Sequence, residues 1–503
     1  MLYPTELRAQ RARRIARVAR APTRIPSAAD RVHALGPNRL PVTNPEVPAP
    51  PAFRSATAWL VVACLVRWLV AWRTDVPGRD GVTYLWMAEH AARGEIGALF
   101  ATVFPPVYPA LVALVVCALP GLDIVIAGQL VSCAMAALAI VPLFLLCDRL
   151  FSRPAAHVAA LVYGLGLWFA RHPAECMSEG PFFLFAGLVA LGLARERWLF
   201  CSGLLAGLAY ATRPEGAALW LCAVLWLLAK RNLRGALLFA AGGVLTAALV
   251  PLGYWALGSG WTLTPKAAFN WDVGAGGAEG SRLAFYLRNA VDLVGAAFEG
   301  LGFLTVPLIA LGLWVARPRG LTDARLVLLA PFVMQCAVVP LLRANERFVL
   351  GYGFLMLGFA GAGCAVLLAR LPRSGCVAVL LAVVGRDLVC LPQAWQRERR
   401  IERDLGSWLR TQLATGEKLA TEMPRLEFFA GQKPGPPRPI TAAEILAQAR
   451  VPDTRFVVVV AARTPMDLGE LVQLGFTTAK LPDTLERAAL ARGISVHSRP
   501  RTR

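Results

Sequence analysis

Twelve apolar runs succeed one another between residues 57 and 391, near 57–72, 106–120, 123–147, 155–170, 181–194, 199–211, 215–229, 235–257, 298–316, 326–342, 349–369 and 374–391. That succession limits the fold more than any other feature of the chain. A water-soluble domain buries apolar stripes, whereas helices apolar on every side need lipid around them. The charge content agrees: 17% of the 503 residues are charged, against roughly 25% in an ordinary soluble domain. Mean hydropathy is +0.53. A soluble multidomain enzyme and a disordered scaffold are excluded, which leaves a polytopic α-helical membrane protein. The net charge of +20 then reads as the basic bias of cytoplasmic loops, and no nucleic-acid partner is expected. The eleven cysteines are scattered, several inside apolar runs (Cys64, Cys117, Cys133, Cys222, Cys364), without metal-ligand spacing. They read as small buried hydrophobes.

Residues 1–56 form a basic, Pro-rich leader with ten arginines against three acids, Glu6, Asp30 and Glu46. Its first part, TELRAQRARRIARVAR, has helical spacing suited to an anionic membrane surface, and its second part reads as an extended linker. The leader is expected to be a cytoplasmic tail that fixes topology. The first apolar run starts too far along the chain for a cleavable signal.

Five compact basic clusters punctuate the runs: Arg149/Arg153, Arg195/Arg197, Lys230/Arg231/Arg234, Arg317/Arg319/Arg325 and Arg370/Arg373. If all five share the leader's side of the membrane, an even number of crossings separates each pair. Three runs lie between the leader and Arg149, so one of them does not cross. The run 106–120, opened by Pro105-Pro106, interrupted by Pro109 and closed by Pro120-Gly121, is the weakest and reads as a re-entrant or interfacial helix. About eleven crossings remain in a transmembrane domain over 57–391. The first loop, 73–122, the segments 171–180, 212–215 and 343–348, and the large loop 258–297 then fall outside, as does everything after 391. Residues 398–503 read as a small α/β extracytoplasmic domain. RFVVVVAA at 455–462 is a buried strand, KLATE a second strand, and DLGSWLRTQLA and AAEILAQAR are helices.

Charged groups are costly at membrane depth, so the places where they gather point to function. The outward segments carry four sets. RDGVTYLWMAEHAARG at 79–94 sets Asp80 and Tyr84 four apart, on one helix face. MSEGPFFLF carries Glu179 at the start of a span, and TRPEG puts Arg213 and Glu215 between two spans with almost no loop. RANERFVLGY brings Arg343, Glu346 and Arg347 to a helix start. Taken singly, each has a plain structural reading. Asp80 and Glu179 suit helix caps, and the arginines suit either snorkelling to the interface or bidentate contact with a phosphate. All four on one side of the membrane are harder to explain apart. In the large loop Trp261, Trp271 and Tyr286 suit interfacial anchoring or stacking on a sugar. Asp272 and Glu279 leave a divalent cation open, but without ligand spacing no metal is assigned.

In the order of these motifs the chain resembles the membrane-embedded GT-C glycosyltransferases, in particular the family 39-like group. That group includes the protein O-mannosyltransferases and the transferase that puts aminoarabinose on lipid A. Its signature acid four before a Tyr is matched by Asp80 and Tyr84, followed by Ala88 and Gly94. Pro105-Pro106-Val107-Tyr108-Pro109 matches the next, non-crossing element. SEGPFF, TRPEG and ERFVLGY match the acid before the fourth span, the fifth turn and the late arginine. The tail's GSWLRTQL, LEFFAGQKP and FVVVV are similar to the extracytoplasmic domain that many members carry. The resemblance runs from residue 57 to about 465. It has two departures: Gly81 stands where the family often has a second acid, and Phe104 stands where some members have a lysine that contacts the donor phosphate.

The resemblance implies a transferase of a bacterial inner membrane, with the N-terminus cytoplasmic and the tail outside. It would move a sugar from a polyprenyl-phosphate-linked donor to a lipid, glycan or protein acceptor on the outer side. No cofactor is certain. The leaving group is already an anion of low proton affinity, so one carboxylate taking the acceptor's proton suffices, with inversion. On this basis Asp80 is the expected base, with Glu179 positioning the acceptor or binding metal. Arg347 and Arg213 are the expected phosphate clamp, and Tyr84, Tyr108, Glu215 and Glu346 the expected substrate contacts. Membrane lipids are the other partners expected, and the sequence leaves protein partners unknown. Two readings compete, a secondary transporter and a catalytically inactive scaffold. Transporters show related halves and mid-membrane charges, whereas here the charges gather at span ends, with Arg67 the main exception.

Overall fold

The computed structural model describes residues 52–257, 260–263, 265–266, 268–269, 281–342, 345–436, 438 and 440–500. The leader's surface helix and linker lie outside the described residues, as do Trp271, Asp272, Glu279 and Arg343. Helices dominate the first three quarters, because in lipid an apolar helix satisfies its backbone within itself. In order they are α1 (Ala52–Arg73), α2 (Arg79–Ala92), α3 (Val107–Ala118), α4 (Ile124–Leu138), α5 (Ile140–Leu150) and α6 (Arg153–Leu165). Then come α7 (Leu167–Ala174), α8 (Glu179–Arg195), α9 (Leu199–Thr212), α10 (Gly216–Ala229), α11 (Leu233–Ala247) and α12 (Leu249–Ala256). The series ends with α13 (Arg282–Leu301), α14 (Thr305–Val315), α15 (Leu326–Val338), α16 (Glu346–Leu368) and α17 (Arg373–Cys390).

By length and composition, five stretches among the described residues are able to cross a membrane: Ala52–Arg73, Ile124–Leu150, Leu233–Ala256, Glu346–Leu368 and Arg373–Gln412. Helices α13 and α14 make a sixth if their 100° bend is one broken span. The loop charges lead to an expectation of about eleven crossings; beyond these stretches the described residues hold only shorter apolar helices, α3, α9, α10 and Leu326–Leu341. Helix α3, expected not to cross, has 12 residues. At 1.5 Å per residue that is about 18 Å, well short of the ~30 Å hydrocarbon layer.

Helix α16 is the axis of the bundle, buried without interruption from Val349 to Cys364. A helix apolar on every face belongs inside the bundle, with amphipathic neighbours around it. Helices α4 and α8 cross so closely that a Cβ on Gly180 would stand 2.1 Å from the Ser132 carbonyl oxygen. Gly180→Ala is therefore expected to force the pair apart at a cost of about 1–3 kcal/mol. In detergent this reads as a Tm several degrees lower than that of Gly385→Ala, whose added methyl meets nothing within 4 Å.

From Arg400 the composition changes, and strands appear. The elements are α18 (Arg400–Gln412), β1 (Lys418–Thr421), α19 (Pro424–Phe429), α20 (Ala442–Ala449), β2 (Thr454–Val460), α21 (Leu468–Gln473), β3 (Thr477–Thr478), α22 (Asp483–Leu490) and β4 (Ile494–Ser498). They form one four-stranded sheet in the order β1-β2-β4-β3. β1 runs parallel to β2, while β4 is antiparallel to both of its neighbours. Alternation along β2 splits its side chains between two cores. Phe456, Val458 and Val460 pack with α18, and Val457 and Val459 pack with α20. That is the two-residue period of a strand covered on both faces. Thr441 and Glu444 close the start of α20 as a capping box.

Candidate functional site

The start of α2 is fixed by its neighbours. Gly78 donates its N–H to the Glu175 carbonyl at 2.8 Å, and Gly81 lies against the same backbone, where a Cβ would stand 2.4 Å from the Glu175 oxygen. No side chain caps the helix, whose N-cap is Gly78. Asp80 is thus released from capping, and its carboxylate turns elsewhere. The same packing explains the first departure from the resembled family: a second acid at position 81 would collide with main chain. One turn on, the Tyr84 hydroxyl is 3.2 Å from Ser178 Oγ. Its ring meets Phe104 and Tyr108 edge-on, with centroids 5.0 and 5.2 Å apart.

Five segments far apart in sequence bring their charges together. Arg347, in the first turn of α16, donates from Nη1 to Asp80 Oδ2 at 2.8 Å and from Nε to Glu179 Oε1 at 2.9 Å. Asn345 caps that helix by accepting the Arg347 N–H at 2.9 Å. Arg213 Nη1 lies 2.5 Å from Glu179 Oε1, and Nη2 lies 2.9 Å from Glu215 Oε1. The fifth segment brings Lys266, whose Nζ is 3.6 Å from Asp80 Oδ2 and 4.5 Å from the Phe104 ring centroid. The turn between α9 and α10 is pinned from below by Tyr352, whose hydroxyl donates to the Glu215 carbonyl at 2.5 Å and accepts from Leu219 N at 3.0 Å.

The network holds three carboxylates (Asp80, Glu179, Glu215) and three cations (Arg213, Lys266, Arg347), so its formal charge cancels. Burial pushes the Asp80 carboxyl up, but Arg347 and Lys266 beside it outweigh burial and hold it down to about 2. Burial lowers the Lys266 ammonium, and the Asp80 charge works against that. The network is not saturated. Among the described residues Glu179 Oε2 and Arg347 Nη2 are buried without a hydrogen-bond partner. A buried donor without a partner costs stability and stands ready for an incoming acceptor.

Asp80, Arg213, Lys266, Asn345 and Arg347 line a cavity of about 110 Å³ walled by Phe104, Phe269 and Phe348. A second cavity of about 210 Å³ adjoins it, sharing Lys266 and Phe348, and its other walls are largely apolar: Pro214, Ala218, Met334, Val338 and Leu342 among them. Glu215 reaches this second cavity. Among the described residues no group of three or more His, Cys, Asp or Glu side chains is placed to hold a metal ion.

Of the residues singled out in the sequence, Asp80, Glu179, Arg213, Glu215 and Arg347 converge in one network, and Tyr84 packs behind it. Glu179 is fully buried beneath the cavity and does not line it. Tyr108 is equally buried, its hydroxyl spent on the Gly128 carbonyl at 3.0 Å. Glu346 does not line either cavity; it sits against α13, where a Cβ on Gly300 would meet the Glu346 Cβ at 3.4 Å. Sequence reasoning missed Lys266. It stands over Phe104, the position where some members of the resembled family carry a lysine, and brings an amine there from another segment. A signal existed: the chain has 47 arginines and five lysines, and Lys266 is the one lysine between residues 231 and 417.

The tail is clamped onto this site. Arg425 donates to the Pro77 carbonyl at 2.8 Å and Arg79 to the Arg438 carbonyl at 2.6 Å. Glu427, behind the clamp, accepts the Gly435 N–H. Burial pushes the Glu427 carboxyl up from 4.5 to about 8, with the Gly435 N–H and the Arg79 charge opposing only in part. An acid raised on folding favours the protonated native state. Its stability is whole below pH 4.5 and is lost as pH rises through about 8. The Tm of the wild-type chain is therefore expected to fall between pH 5 and 8, and Glu427→Gln to flatten that slope in a thermal-shift series.

No family model matches the chain, and no curated protein matches it in sequence. Solved structures do. ArnT from Cupriavidus metallidurans bound to undecaprenyl phosphate superposes with a TM-score of 0.60 at 15% identity, over 89% of this chain and 98% of that one. The oligosaccharyltransferase AglB from Archaeoglobus fulgidus, in complex with an inhibitory peptide and a dolichol-phosphate, superposes with a TM-score of 0.55 at 13% identity, over 80% of this chain and 69% of that one. The chain has the fold of the GT-C membrane glycosyltransferases.

Proposed function

We propose that the chain is a membrane glycosyltransferase that takes a sugar from a polyprenyl-phosphate-linked donor. It passes that sugar to an acceptor hydroxyl on the outer side of a bacterial inner membrane, with the leader inside and the tail outside. The observation that carries the reading is the pair of adjoining cavities, one largely apolar and one lined by Asp80, Arg347 and Lys266, with Lys266 and Phe348 common to both. A polyprenyl phosphate is divided in the same way, an apolar chain ending in an anion. Two solved structures of this fold, with undecaprenyl phosphate and with dolichol-phosphate, support it.

Arg347 and Lys266 are the phosphate ligands in this reading, with Arg213 behind them. The acceptor oxygen bonds to the anomeric carbon as the bond from that carbon to the phosphate oxygen breaks. The electron pair leaves with the lipid phosphate, the proton goes to Asp80, and the carbon inverts. A phosphate leaving group needs no general acid. Asp80 is a poor base while Arg347 and Lys266 hold its carboxyl down. A bound donor phosphate draws those cations to itself, and the carboxylate's proton affinity climbs back toward its ordinary value. Binding the donor thereby arms the base. Glu179 acts as a positioning residue that holds both guanidinium groups in place from beneath.

The test is the pool of polyprenyl-linked sugars in cells lacking the protein, with wild type or Asp80→Ala restored. One polyprenyl-phospho-sugar should accumulate in the null strain, clear with wild type and persist with Asp80→Ala. A pool that never changes would sink the transferase reading.

A further inference from the structure

A third cavity, of about 600 Å³, lies between the tail and the segment that carries Phe104. It is the largest of the three and belongs to neither half of the donor site. Its walls include Thr83 of α2, Thr102, Gln432 and Gln448, with Lys418 and Lys433 at its edge. Lys433 Nζ lies 5.1 Å from the Trp86 ring centroid and donates to the Ala101 carbonyl at 3.4 Å.

Two features tie this cavity to the chemistry. Val103, Phe104 and Phe269 line both it and the Asp80 cavity, so one aromatic wall separates them. Asp80 and Thr83 are three apart on α2 and therefore share a face, the first in the small cavity and the second in the large one. A hydroxyl entering past Phe104 reaches the carboxylate through a wall different from the one, Lys266 and Phe348, that adjoins the apolar cavity.

We propose that this cavity seats the acceptor and that the acceptor is a saccharide bearing an anionic group, phosphate or carboxylate. The reading rests on the transferase function proposed above. Hydroxyl and amide side chains beside the Phe104 and Phe269 rings suit a saccharide, which offers hydroxyls along its edge and an apolar face to an aromatic ring. The anion follows from charge. The ionisable side chains on the walls are two lysines and Glu427, a carboxyl that burial keeps neutral at pH 7. The cavity therefore carries a net positive charge, and Glu427 offers an O–H donor where an ionised acid would repel the ligand.

The test uses the full-length chain in nanodiscs, labelled with 5-fluorotryptophan, the Trp86 resonance being assigned by its loss in Trp86→Phe. Glucose 6-phosphate and glucuronate are titrated against glucose and inorganic phosphate, each read by 19F NMR. Both charged sugars are expected to shift the Trp86 resonance at concentrations at least ten-fold below those needed by glucose or phosphate, and Lys433→Glu should abolish that preference. Glucose acting as well as the charged sugars, phosphate acting alone, or no shift at all would each overturn the proposal. Undecaprenyl phosphate retention, read by native mass spectrometry on the same preparations, should be equal in wild type and Lys433→Glu. Its absence from the wild-type chain would overturn the donor reading instead, whatever Trp86 reports.

Discussion

Asp80→Asn is expected to slow transfer roughly 10³-fold, the upper-middle range for loss of a general base, without weakening polyprenyl phosphate binding. The amide keeps the shape of the carboxylate and a bond to Arg347, but it cannot take a proton. It also removes the negative charge that now lies 2.8 Å from Arg347 and 3.6 Å from Lys266, so the lipid phosphate should bind as tightly as before or tighter. Single-turnover transfer from the lipid-linked sugar that accumulates in the null strain, with undecaprenyl phosphate retention alongside, separates the two effects. Equal loss of both would make Asp80 a structural part. The pH profile adds a sign. Arg347 and Lys266 hold the Asp80 carboxyl down to about 2, so kcat/KM should stay flat to low pH. The acid limb of kcat should appear at higher pH, because in the complex the phosphate has taken the cations.

Arg347→Gln carries the second large effect, on stability and on the donor together. Arg347 stands between Asp80 and Glu179, and its removal leaves Glu179 with Arg213 alone. Removing one partner of a buried ion pair costs about 3–5 kcal/mol, which lowers the melting point by many degrees. Loss of a charge-assisted contact to the phosphate should weaken undecaprenyl phosphate retention roughly 100-fold. The double variant Asp80→Asn/Arg347→Gln tells the two apart. It should regain part of the stability, since one uncompensated charge is gone, while retention stays lost. A double variant as unstable as Arg347→Gln would mean that packing of the α16 start, and not charge, sets the penalty.

Much of this site was legible in the sequence because its members are costly where they stand. Asp80, Glu179, Arg213, Glu215 and Arg347 are ionisable residues at helix ends in a chain short of charge, and the structure brings all five together. The strands were legible for the opposite reason: FVVVV needs burial on both sides, and the structure gives it two cores. What failed was distance and direction. Nothing in the spacing of Glu346 and Arg347 says that one turns toward Asp80 and the other toward α13. Tyr108 looked like a substrate contact, yet its hydroxyl is spent on the Gly128 carbonyl. Lys266 was invisible because its partner, Asp80, lies 186 positions away, and only the fold sets the amine over Phe104. Gly81 looked like a missing acid, and the Glu175 carbonyl 2.4 Å from its would-be Cβ explains it.

The clamp between tail and first loop has a consequence for building chimaeras. Arg425 holds the Pro77 carbonyl and Arg79 holds the Arg438 carbonyl, so two short stretches more than 300 residues apart behave as the halves of one joint. A graft that exchanges the tail at residue 400 cuts this joint and sets a foreign α19 against a native 77–83. The portable module is discontinuous: the tail together with the opening turns of α2. A hybrid that carries both stretches from one parent keeps the Asp80 helix seated, and one that mixes them does not.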